Sequence, residues 1–194
     1  MEEDYLAHCN KEKMLTKILM LLSFWIVPMR NLIEYDAVKA TDTYRILDKY
    51  EYISDSDKYL ISDAIEKTSI EKDLSNEEKA IVLAVAFQES RFTKEAIGSS
   101  GECGLYQQIP RWLPNKELRK MKYNDACDLL KDPYSGTKEF INTYRHLQKR
   151  YKQDWPCHYN QGIVCGARGY AYLKNHYRLR RQFEREQDRY AQLN

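Results

Sequence analysis

The most constraining stretch of this chain is Ile81-Val82-Leu83-Ala84-Val85-Ala86-Phe87, an unbroken apolar run that leads into Gln88-Glu89-Ser90. Ser75, with Glu78 three residues later, precedes it as a capping-box signature and starts the helix. A helix that is apolar on all sides has no face for water, so it must be buried in a folded domain. Glu89 then stands at the end of a buried helix. Desolvation there raises a carboxyl pKa. A carboxylic acid that stays protonated near neutral pH is suited to proton donation in catalysis. Taken alone, an ordinary helix-end glutamate is the simpler reading.

The surrounding pattern is helical. Tyr44, Leu47, Tyr50 and Ile53 recur at helical spacing, as do Leu60 and Ala64 and, less regularly, Ile61 and Ile65. Asp55-Ser56-Asp57 offers a cap between these two groups. Residues 116–130 and 133–151 read as helices, with Asp132-Pro133 capping the second and Phe140, Tyr144, Leu147 and Tyr151 marking its inner face. Asp154-Trp155-Pro156 breaks it, and a last helix starts near Ala167. Between Thr93 and Trp112 the text is loop-like, with Gly98, Gly101, Gly104 and Pro110, and only a short hairpin is expected around residues 98–109. The fold class is mainly α.

The chain has 194 residues, 43% hydrophobic and 31% charged, which excludes an integral membrane protein with more than one spanning segment. A net charge of +2 implies no nucleic-acid partner. Residues 168–189 are locally basic, which reads as a solvated helix face or as attraction to an anionic surface. Ile18 to Val27 carries no charge and follows Lys11, Lys13 and Lys17, the order of an export signal. The run is short of the roughly 20 apolar residues of a spanning helix. A removed signal, a retained membrane anchor and a buried helix all fit it.

Of the five cysteines, Cys9 precedes that run and Cys103, Cys127, Cys157 and Cys165 follow it. Four cysteines allow three pairings, and the sequence does not choose among them. A Cys157–Cys165 bridge would pin Tyr159-Asn160-Gln161-Gly162, leaving Cys103 with Cys127; buried free thiols are the other reading. No Cys/His spacing fits a zinc site, and neither a metal nor a cofactor is expected.

Three segments in order, Glu89-Ser90, Gly104-Leu105-Tyr106-Gln107 and Tyr159-Asn160-Gln161-Gly162, with Ser100-Gly101 between the first two, resemble the motifs of the soluble lytic transglycosylase family. The resemblance covers roughly Asn76 to Asn175. It implies a lysozyme-like fold and cleavage of the peptidoglycan bond between N-acetylmuramate and N-acetylglucosamine, with a 1,6-anhydro ring as product. It implies Glu89 as the sole catalytic carboxylate. It implies Ser100, Tyr106, Gln107, Tyr159 and Asn160 as cleft residues that touch sugar, with Tyr106 against a ring. Tyr170, after Arg168-Gly169, is similar to a further cleft tyrosine of the family. Glu102 departs from the family pattern; it reads as a solvent-facing loop charge or as the second carboxylate of a hydrolase.

The expected organisation is an N-terminal arm over residues 1–33 with its signal-like or anchor-like segment, a helical lead-in over 34–75, a catalytic domain over 76–175 and a basic helix over 176–194. The expected partners are glycan strands, a membrane through the first segment, and virion or secretion-apparatus components. The expected location is the periplasm or cell wall, or a phage particle. A goose-type muramidase that uses water, and an inactive wall-binding or virion protein, are the competing functional readings.

Overall fold

A computed structural model describes residues 34–192. The Ile18–Val27 segment and Cys9 lie outside the described residues. The chain divides into two units, Met1–Ala40 and Thr41–Asn194. In the first, residues 34–39 are helical, with the Lys39 ammonium over the Tyr35 ring.

The second unit is a set of helices around a main apolar core, with a smaller one beside it. They are α1 (Asp42–Leu47), α2 (Asp55–Lys72), α3 (Asn76–Ser90), α4 (Lys116–Lys120), α5 (Tyr123–Lys131), α6 (Pro133–Tyr151), α7 (Trp155–Gln161) and α8 (Ala167–Ala191). Helix α3 is the axis of the core. Its capping box closes as the sequence implies: the Ser75 hydroxyl accepts from the Glu78 amide at 3.2 Å, and the Glu78 carboxylate accepts from the Ser75 amide at 3.1 Å. Every residue from Ala80 to Ala86 is buried. Helix α8 packs along it, and α6 packs on α2, α5 and α7. Phe140, Tyr144, Trp155, Leu179 and Phe183 close the core around α3. After Ser90 the chain turns sharply, with both Arg91 and Phe92 at positive φ. The buried Phe92 ring anchors that turn.

Three local readings are corrected. The cap of α2 is Ser54, whose hydroxyl accepts from the Asp57 amide, so Asp55-Ser56-Asp57 is the first turn rather than the cap. The buried stripe of α2 is Ile61, Ala64, Ile65 and Thr68, which leaves Leu60 exposed. The helix expected over 116–130 breaks into α4 and α5 at Met121-Lys122. At 3.6 residues per turn a straight helix would point Leu118 and Cys127 in opposite directions. The break lets both face a satellite core with Cys103, Leu113 and Leu130.

The hairpin is reduced to isolated antiparallel bridges, Ile97 to Cys103 and Cys103 to Gln108, and no strand forms among the described residues. Gly104 has φ of +75°, and a Cβ there would meet the Leu130 carbonyl oxygen at 2.1 Å. Only glycine fits where this turn lies on the end of α5. Two disulfides hold the periphery, Cys103–Cys127 and Cys157–Cys165, with Cα separations of 5.5 and 5.6 Å. Among the described residues no helix is long and apolar enough to cross a membrane.

Candidate active site

A cleft of about 1170 Å³ opens on one side of the second unit. Glu89, Ser100, Gln107, Tyr159 and Asn160 all line it, as does Glu102. Residues 71 positions apart in sequence meet here because α3, the Gly104–Gln107 turn and α7 converge on the same core.

Glu89 is half-buried in the last turn of α3. Burial is the main reason its carboxyl group is pushed up to about 7, and the nearby Glu102 charge pushes in the same direction. Against these, the Tyr172 hydroxyl donates to Glu89 Oε1 at 2.5 Å and favours the charged form. This bond makes the two oxygens unequal: Oε1 is held by the phenol and Oε2 is not. Tyr172 stays a donor, because burial and the Glu89 charge raise its own pKa well above the ordinary value.

The motif turn is fixed from both sides. The Ser90 hydroxyl lies 3.0 Å from the Ala86 carbonyl and 2.8 Å from the Leu105 carbonyl, joining the end of α3 to the turn. The Tyr159 hydroxyl donates to the Tyr106 carbonyl at 2.5 Å. The Gln107 amide nitrogen donates to the Ala96 and Gly104 carbonyls at 3.1 and 2.9 Å. Its nitrogen is therefore committed to the turn, and its oxygen is the atom left for a ligand.

Two expected cleft residues lie elsewhere. Tyr106 is fully buried: its ring stacks on Phe140 at 4.5 Å and its hydroxyl bonds Thr137 at 2.9 Å. With Leu105 also buried, the turn sends two consecutive side chains into the core, and Tyr106 does not line the cleft. Tyr170 is 55% exposed and does not line the cleft. The tyrosine that reaches Glu89 is Tyr172, on the opposite side of α8. Glu102 is half-buried rather than a freely solvated loop charge; its carboxylate accepts from the Ser100 amide at 2.8 Å and shares the cleft with Glu89. Ser100 is exposed at the cleft edge. Asn160 is exposed in the last turn of α7, so the Tyr-Asn-Gln-Gly segment is a helix end rather than a free turn, stopped by Gly162 at φ +75°.

Among the described residues no group of His, Cys, Asp and Glu is arranged to hold a metal ion. The chemistry on offer is that of one carboxylic acid with a raised pKa, a phenol that orients it, and a second carboxylate nearby. Residues 68–182 match the family model described as the Transglycosylase SLT domain, more than half of the chain. No curated protein and no solved structure matches the chain significantly. The chain belongs to the transglycosylase SLT domain family, whose activity is lytic-transglycosylase-type cleavage of peptidoglycan.

Proposed function

We propose that this protein cleaves the β-1,4 bond between N-acetylmuramate and N-acetylglucosamine by an intramolecular route, with Glu89 as acid and then base. The observation that carries this reading is the state of Glu89: half-buried in the cleft, held through one oxygen by Tyr172, with a pKa of about 7. The protonated carboxyl gives its proton to the bridging oxygen, and the bond from that oxygen to the muramyl C1 breaks. The substrate acetamido group stabilises the cationic C1, so no second carboxylate is required. The Glu89 carboxylate then takes the proton of the muramyl C6 hydroxyl, whose oxygen bonds to C1. The enzyme returns to its starting state and the product carries a 1,6-anhydro ring.

The proposed role is local opening of the cell wall outside the cytoplasm, in the periplasm or at the wall. Both disulfides support an oxidising compartment.

Glu102 favours a second reading. A carboxylate that shares the cleft with the acid is where a muramidase would hold a base for water. Digestion of purified peptidoglycan followed by borohydride treatment and mass analysis separates the two. Anhydro ends that resist reduction are expected, with Glu102→Gln still active. Reducible muramyl ends that vanish in Glu102→Gln would make the protein a hydrolase.

A further inference from the structure

The cleft is electrically polarised. The acids on its lining are Glu89 and Glu102, whereas Arg119, His146 and Arg150 also face it. His146 and Arg150 stand one turn apart on the cleft-facing stripe of α6, which runs Thr143, His146, Leu147, Arg150, Tyr151 at helical spacing. The Gln108 side-chain amide donates to the Thr143 hydroxyl at 3.2 Å, so Thr143 marks the level of the motif turn. By helix rise, Arg150 lies about 10 Å further along the axis of α6. Arg119 reaches the same cleft from α4.

Several basic residues elsewhere on the fold are neutralised by an acid. Lys58 pairs with Asp48, Lys79 with Glu66, Arg145 with Glu78 and Arg180 with Glu77. Arg119, His146 and Arg150 form no ion pair among the described residues. Arg150 is nevertheless placed: its guanidinium lies over the Tyr151 ring, and that ring stacks on His158 at 3.6 Å. Leu113, Pro114 and Leu147 add apolar surface to the same cleft. The unpaired guanidinium groups of Arg119 and Arg150 on a concave wall attract whatever anion enters. The planar guanidinium fork matches a carboxylate.

We infer that Arg119 and Arg150 make the cleft wall a reader of carboxylates, which binds the acidic groups borne by muramyl residues of the strand held at Glu89. The inference rests on the peptidoglycan reading above. Two sources supply the carboxylate: the stem peptide, or the free lactyl group where the stem has been removed. A strand of N-acetylglucosamine alone is neutral and gains nothing here.

Binding is measured by titration calorimetry on the full chain in a Glu89→Gln background, so turnover is not needed. Three probes are used: muramyl-glucosaminyl fragments with tetrapeptide stems, the same fragments stripped by an amidase, and N-acetylglucosamine oligomers. The parent should prefer the acidic fragments to the neutral oligomers. In Arg119→Gln/Arg150→Gln that preference should fall about tenfold, the scale of one charge-assisted hydrogen bond. Arg119→Lys/Arg150→Lys should retain most of it. Loss confined to the stem-bearing probe assigns the stem carboxylates, loss confined to the stripped probe assigns the free lactyl group, and loss on both shows a subsite that takes either carboxylate. A preference unchanged by removing the charges, or an equal weakening on the neutral oligomers, overturns the subsite. Failure of the unsubstituted protein to cleave any glycan ends the proposed activity separately and leaves this ratio readable.

Discussion

The floor of the cleft and its rim are built by opposite means. On the floor, Glu89 is tied to Tyr172, Ser90 to two carbonyls, Gln107 to two more and Tyr159 to the Tyr106 carbonyl. Each of these groups is backed by the main core. On the rim, Trp112 is 68% exposed and Ile163 and Val164 are 81% and 75% exposed. The segment carrying Ile163 and Val164 is held by the Cys157–Cys165 bridge rather than by buried side chains. The difference teaches where this fold invests its order. Proton transfer needs groups held in place before substrate arrives, while an apolar lip needs only to be present.

The comparison breaks first at Glu89. Glu89→Gln should lower turnover at least ~10²-fold. It should also stabilise the fold at high pH. A carboxyl whose folded pKa is raised from 4.5 to about 7 contributes stability at low pH that is lost as pH rises through that interval. Glutamine removes this loss, so the melting temperature of the variant should exceed that of the parent above pH 7 and match it below pH 4.5. Equal turnover in the two proteins would remove the floor's chemical role.

Tyr172→Phe comes next. Loss of a hydrogen bond to a charged group costs about 1.5–3 kcal/mol, and roughly tenfold slower turnover is expected. The same change removes what lowers the Glu89 pKa, so the alkaline limb of the pH–rate profile should move upward. Tyr170→Phe should leave both unchanged. A slower enzyme with an unmoved limb would mean that Tyr172 acts on packing alone.

The rim should respond more weakly and in KM. Cys157→Ser/Cys165→Ser removes a short-loop bridge worth about 2 kcal/mol of stability. Tyr159 stays pinned by the Tyr106 carbonyl and by Phe140 and Trp155, so kcat should hold while KM rises. A collapse of kcat would place the bridge on the floor side of the comparison. Trp112→Ala should have the smallest effect, a rise in KM with kcat and melting temperature unchanged, since most of that ring faces water.

Much of the floor was legible in the chain itself. The capping box, the apolar run and the glutamate that follows it are local signals, and local signals survive folding. The position of Tyr172 was legible too, had the register of α8 been followed. Gly169, His176, Leu179 and Phe183 form its buried stripe, and Tyr172 lies three residues after the first and four before the second. Tyr170 is two residues away, which on a helix is the opposite side. Tyr106 was not legible. Its turn has no period, and the positive φ angles of Gly104 and Gln107 decide which side chains point inward. The cysteine pairing and the approach of Glu102 to Glu89 depend on tertiary distances, which spacing does not encode.

The abrupt end of α3 at Arg91 and Phe92 has an electrostatic consequence. The aligned peptide dipoles of a helix leave about half a negative charge at its C-terminus. Glu89 sits in that last turn, which holds no basic residue, and Arg91 just beyond lays its guanidinium over the Phe87 ring. Ionising Glu89 therefore adds charge to a pole that is already negative, and the backbone itself favours the acid form. No side-chain deletion removes that contribution. It would persist in Tyr172→Phe and in Glu102→Gln, and only a new cation placed in that turn would cancel it.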